Sequence, residues 1–150
     1  MRSAIISMAK KHGLDPAIVY GVCMTESSMN PQAVRYEPHY RYLFYPEKVK
    51  PTTCSYDTER ILQKMSIGLM QVMGAVYREM GFTGWLTDTI GNPFAQLDYG
   101  CRHLAAKIKK YGPELGILSY NSGSPKAGAA VKDQPNYEYL VKVTRFSREW

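Results

Sequence analysis

The chain is poor in the residues that staple or metallate small proteins. Its 150 residues hold three cysteines, Cys23, Cys54 and Cys101, an odd number without C-x-x-C spacing. That pattern supports neither a disulfide framework nor a zinc site. Three histidines, none beside a strained serine turn, give no ground for a Ser-His-Asp triad. There is no phosphate-cradling glycine loop, no HExxH and no dinucleotide fingerprint, so no metal and no cofactor is expected. Long apolar runs are missing too, which excludes membrane insertion. The apolar run near Met1 is brief before Lys10-Lys11, too short for the core of a signal peptide. Basic residues are not concentrated on one helix. Lys107, Lys109 and Lys110 come nearest, a solvated helix C-terminus explains them just as well, and no nucleic-acid partner is expected.

What is present describes an ordinary folded protein. Hydrophobic residues make up 45% and charged residues 21%, which argues against global disorder. The length fits one domain over residues 1–150, expected to be monomeric in isolation. The net charge of +6 suits an acidic partner: nucleic acid, anionic lipid or the polyanionic bacterial envelope. Cys23 and Cys101 fall on apolar helix faces and read as buried thiols.

Helical signals dominate. Residues 3–12 form a short helix stopped by Gly13, and Asp15-Pro16 caps a second that runs to about Ser28. Residues 35–56 hold Pro38, Pro46 and Pro51 among many tyrosines and read as a long ordered excursion, with at most a minor hairpin. Its tyrosines serve either as packing anchors or as a stacking surface for sugars or bases. A short helix opens at Asp57, and another is predicted from Leu69 to Gly81. A long one follows Asn92-Pro93, with Phe94, Leu97, Cys101, Leu104, Ala105, Ile108 and Tyr111 as its stripe and His103 on the surface. Helices over 114–121 and 136–149 complete an all-α fold class.

One residue breaks the apolar logic. Val19, Val22, Cys23 and Glu26 lie at i, i+3, i+4 and i+7, which places a carboxylate on the greasy side of a helix, in its last turn. Burial and the negative helix end both disfavour its charged form. Such a Glu is either salt-bridged structure or a general acid. Gln71, at the predicted helix start after Ser66-Ile67-Gly68, and Asn121, at a helix end, add polar groups at helix boundaries.

The order of these segments resembles the soluble lytic transglycosylase family, whose catalytic domain is similar to goose-type lysozyme. Glu26-Ser27-Ser28-Met29-Asn30-Pro31 matches its Glu-Ser motif, with Met29 where Phe is usual. Gly68-Leu69-Met70-Gln71-Val72-Met73 matches Gly-Leu-Met-Gln-hydrophobic-Met. Ser119-Tyr120-Asn121-Ser122-Gly123 matches Ala-Tyr-Asn-Ala-Gly with two small-residue swaps, and Tyr139-Leu140-Val141-Lys142-Val143 resembles the late Tyr-Val-x-x-Val motif. The resemblance implies a lysozyme-like fold with a catalytic cleft between helical lobes, acting on peptidoglycan glycan strands in the bacterial cell wall. It implies Glu26 as the lone catalytic acid and base. Gln71, Met73, Tyr120 and Asn121 would line the cleft and hold the sugar, Ser27 would follow the acid, and Tyr139 would support the carboxyl from the last helix. With no signal peptide, delivery by a phage lysis system or as a virion component is expected.

Two departures stand out. Gln71 lies 45 residues after Glu26, a longer gap than compact members have, so residues 36–65 read as an insertion. Pro135-Asn136 replaces the Glu-Thr that usually precedes the late Tyr. The insertion opens an alternative: Glu37, Asp57 or Glu59 as a second carboxylate would make a hydrolysing muramidase. A non-catalytic wall-binding or virion structural module is the third reading.

Overall fold

The computed structural model describes residues 1–150, and eight α-helices carry most of the chain. In order they are α1 (Arg2–Lys11), α2 (Pro16–Ser27), α3 (Pro46–Val49), α4 (Tyr56–Gln63), α5 (Gly74–Glu79), α6 (Pro93–Tyr111), α7 (Pro113–Ser122) and α8 (Tyr137–Ser147). Three short strands, β1 (Val34–Tyr36), β2 (Met65–Ile67) and β3 (Val72–Met73), form one antiparallel sheet in the order β1-β2-β3. The mainly helical class expected from the sequence is the one observed. No helix is long and apolar enough to cross a membrane. The chain divides into two compact units, one of Met1–Thr25 with Gly100–Trp150, the other Glu26–Tyr99.

In the first unit α2 begins as its sequence dictates. Pro16 occupies the first turn, and the Ala17 N–H donates to Asp15 Oδ1 at 2.8 Å. Ile5, Ala9, Val19, Val22, Cys23, Cys101, Leu104, Leu118 and Val143 are fully buried and form the core. Gly21 makes the α2–α8 approach possible: any Cβ there would collide with the Val143 carbonyl. On α8 only one face is buried, with Tyr139, Leu140 and Val143 inside and Val141 exposed.

In the second unit the sheet brings together the two ends of residues 36–65. Val34 pairs with Ile67 and Tyr36 with Met65, so the β structure lies at the two ends of residues 36–65 and not within residues 37–56. Helix α4 is capped by Ser55, whose Oγ accepts from Thr58 N–H at 3.1 Å, two residues before the predicted cap at Asp57.

A larger difference concerns residues 69–73. The predicted helix begins only at Gly74, because Gly68 (φ +80°) and Gln71 (φ +48°) turn the chain from β2 into β3. The Gln71 N–H donates to the Gly68 carbonyl at 3.1 Å across this turn. Leu69 and Met70 are fully buried. A buried turn produces an apolar run that spacing alone does not separate from a helix.

Candidate active site

Glu26 occupies the last turn of α2, half-buried, one turn beyond the fully buried Val22 and Cys23. Helix α2 ends at Ser27, and Ser28 (φ +51°) and Met29 (φ +65°) both take the left-handed conformation. Two consecutive non-glycine residues in that region are unfavourable and persist only where surrounding contacts hold them. Several such contacts are present. Ser27 Oγ donates to the Leu69 carbonyl at 2.9 Å, and the Gln32 N–H donates to Asn30 Oδ1 at 2.9 Å. The Pro31 carbonyl accepts from Gly91 N–H at 2.9 Å and from Gln96 Nε2 at 2.8 Å.

The Gly68–Met73 turn is therefore fastened to the segment that carries Glu26. Gln71 holds the turn from inside, its Nε2 donating to the Ala33 carbonyl (3.1 Å) and the Gly68 carbonyl (2.9 Å). Its Oε1 accepts from Ser66 Oγ at 2.8 Å. Both donors of the amide are thus used within the protein, and only acceptor capacity on Oε1 is left for a ligand. Met73, half-buried, pairs with Ser66 in the sheet and precedes α5.

Gln96 was not singled out by sequence. It is fully buried in the first turn of α6 and joins three segments. Its Oε1 accepts from Leu69 N–H at 2.9 Å, while Nε2 donates to the Pro31 and Thr89 carbonyls at 2.8 and 2.7 Å. Gly68 lies directly against its amide, where a Cβ would collide. The predicted stripe on α6 included Phe94, which is 63% exposed. The face that turns inward at this end is the one bearing Gln96. A polar residue beside Leu97 in an otherwise apolar first turn was the available signal.

The first unit holds the other predicted residues. Tyr120 on α7 is half-buried and lies against His103, ring centroids 5.3 Å apart. His103 is not the surface residue its spacing suggested: burial, then the Lys107 charge, lowers its pKa to about 4, so the imidazole is neutral at physiological pH. Asn121 is exposed, and its Oδ1 accepts from Asn136 Nδ2 at 3.0 Å. The same Asn136 nitrogen donates to the Leu118 carbonyl at 2.9 Å. Asn136, noted in the sequence only as a departure from a motif, thus orients Asn121. Tyr139 is 9% exposed on α8. No group of three or more His, Cys, Asp or Glu side chains comes together to hold a metal ion.

Compared with known families, the chain matches the transglycosylase SLT domain over residues 3–141. It belongs to the SLT transglycosylase family. Among curated proteins it is similar to the membrane-bound lytic murein transglycosylase C of Actinobacillus pleuropneumoniae, serotype 5b (strain L20) and serotype 3 (strain JL03). Each is 26% identical over 157 residues, covering 93% of this chain and 35% of the relative. The chain spans about a third of the length of these relatives.

Within this SLT domain the acidic residues Glu37, Asp57 and Glu59 have partners of their own. Glu59 is fully buried, its Oε1 2.6 Å from Arg78 Nε and its Oε2 2.9 Å from Arg78 Nη2. Both carboxylate oxygens are held, which removes Glu59 from consideration as a second catalytic carboxylate. Glu37 lies 3.5 Å from Arg35 and Asp57 3.6 Å from Arg60. A different oddity marks Ser119, which stands where the SLT motif has Ala: its Oγ is buried without a hydrogen-bond partner. Ser119→Ala is expected to raise stability by about 1 kcal/mol, since it removes an unsatisfied buried hydroxyl. Chemical denaturation checks this, and an unchanged or lower midpoint contradicts it.

Proposed function

We propose that this SLT domain is a peptidoglycan lytic transglycosylase that cleaves the MurNAc-β-1,4-GlcNAc bond with Glu26 as its single acid and base. The observation that carries the reading is the half-buried Glu26 at the end of α2, in a segment fastened by Ser27 and Gln96 to the Gly68–Met73 turn. The family match and the murein transglycosylase relatives support the same class.

The chemistry needs a carboxylic acid that donates to the glycosidic oxygen while the C1–O4 bond breaks. Glu26 is half-buried, one turn beyond the fully buried Val22 and Cys23. The N-acetyl group of MurNAc stabilises the cation forming at C1. Glu26, now a carboxylate, then accepts the proton of the sugar's own C6 hydroxyl as O6 bonds to C1. A 1,6-anhydroMurNAc end results and no water is consumed. One carboxylate suffices, whereas the usual hydrolytic mechanisms require two. The engagement of Glu59 by Arg78 favours the one-carboxylate route.

Gln71 acts in this reading by shaping the turn, with its Oε1 and the neighbouring Met73 facing the sugar. By their motif positions Tyr120, Asn121 and Tyr139 are the further candidates for engaging the glycan. Mass spectrometry of digested sacculi tests the proposal. Anhydro ends are expected; reducing MurNAc ends in their place identify a muramidase and overturn it.

A further inference from the structure

The Tyr-rich insertion carries a pocket that the proposed chemistry does not use. It is an open, shallow depression of about 520 Å³ lined by Tyr45, Pro46, Glu47, Lys48 and Tyr56. Tyr45 is 62% exposed and Tyr56 45% exposed, with Tyr42 on the same excursion 66% exposed. Tyr45 and Tyr56 thus present ring surface to solvent around one depression, the kind of amphipathic surface enriched at interfaces.

The base is rigid for a reason visible in its hydrogen bonds. Phe44 N–H donates to Gln63 Oε1 at 2.7 Å, and Gln63 Nε2 returns a bond to the Phe44 carbonyl at 3.1 Å. Gln63 Nε2 also donates to Glu59 Oε1 at 3.1 Å, which ties the clamp to the buried Glu59–Arg78 pair. Arg78 in turn donates to the Phe82 carbonyl at 3.0 Å. Immediately after the clamped Phe44, Tyr45 takes a left-handed conformation, φ +36° and ψ +58°. The chain has four non-glycine residues with positive φ; Ser28, Met29 and Gln71 belong to the candidate active site, and Tyr45 is the fourth. Strain of this kind, held by a buried network, presents a side chain in a fixed direction.

We propose that this pocket is an accessory saccharide site that stacks a sugar of the peptidoglycan strand on Tyr45 and Tyr56. It rests on the peptidoglycan reading above and extends it to residues outside the reaction. The chemistry of the lining points to this occupant. Tyrosine faces pack against the apolar C–H faces of pyranose rings. Lys48 Nζ, 5.3 Å from the Tyr45 ring centre, offers a partner for a lactyl or stem-peptide carboxylate. Glu47 makes the lining mixed in charge, which suits a glycan with isolated carboxylates and disfavours a continuous polyphosphate.

The test measures binding to purified sacculi in a Glu26→Gln background, so that the ligand is not digested. With both tyrosines intact this protein binds sacculi; adding Tyr45→Ala and Tyr56→Ala weakens binding roughly tenfold, the size expected for losing two aromatic faces. Tyr45→Phe with Tyr56→Phe retains the affinity, which separates stacking from misfolding. In the active protein the two alanine changes leave turnover of a short soluble GlcNAc-MurNAc oligomer unchanged. If the alanine variant binds sacculi as well as its parent, the accessory site is refuted and the peptidoglycan reading stands. If Glu26→Gln alone binds no sacculi, the peptidoglycan reading fails and this proposal with it. Displacement of sacculi from the tyrosines by a single-stranded oligonucleotide overturns the saccharide assignment in favour of a base-stacking surface.

Discussion

Glu26→Gln is expected to lower turnover of sacculi by about 10³-fold or more while leaving the melting temperature close to its original value. General acid–base catalysis contributes about 10²–10⁴-fold when a group acts in one proton transfer, and Glu26 is proposed to act in two. Glutamine keeps the shape and hydrogen-bonding capacity of the protonated acid, but it delivers no proton to the leaving oxygen and accepts none from the C6 hydroxyl. The half-buried position at a helix end accommodates this near-isosteric change without a new cavity. Assaying glycan-strand cleavage beside thermal unfolding separates the two effects. Retained lytic activity removes Glu26 from the mechanism and favours a wall-binding role without catalysis.

Arg78→Met is expected to cost about 3–5 kcal/mol, because it leaves the fully buried Glu59 carboxylate without its cation. The same change releases the hydrogen bond to the Phe82 carbonyl and loosens the Gln63 clamp on Phe44. The double change Glu59→Leu with Arg78→Met is expected to recover most of that loss, since apolar groups of similar volume replace a buried ion pair at little net cost. Urea unfolding of both single variants and the double variant completes the cycle. A single change that costs less than about 1 kcal/mol shows that the carboxylate finds another partner or water, contrary to its observed burial.

These two residues represent different kinds of information in the chain. Glu26 was legible because helical spacing is a local property: Val19, Val22 and Cys23 are fully buried, as their positions require, and the fourth member of the stripe is an acid. Asp15 caps α2 for an equally local reason. Arg78 and Glu59 were not recognisable as a pair, because 19 residues and two strands separate them. The sequence reading left Glu59 open as a catalytic carboxylate, and only its bidentate pairing with Arg78 removed it from that role.

The Gly68–Met73 segment shows the same division within six residues. Its composition identified the motif, and its apolar spacing suggested a helix from Leu69. The tertiary structure made it a buried turn, because Gln71 adopts a left-handed backbone while its side chain bonds to Ala33, Gly68 and Ser66. Of those partners Ala33 is distant in the chain, and it approaches Gln71 only once β1 has paired with β2.

By itself, then, the sequence determined the helical class, the starts of α2 and α6, the family and the identity of the candidate acid, since each depends on residue type at short separation. The tertiary structure decided what holds the acid's segment, through Gln96. It also turned His103 inward against Tyr120 and clamped the backbone that presents Tyr45. Those outcomes depend on buried polar groups finding partners far along the chain, and a buried amide or carboxylate shows its partner only once the backbone around it has folded.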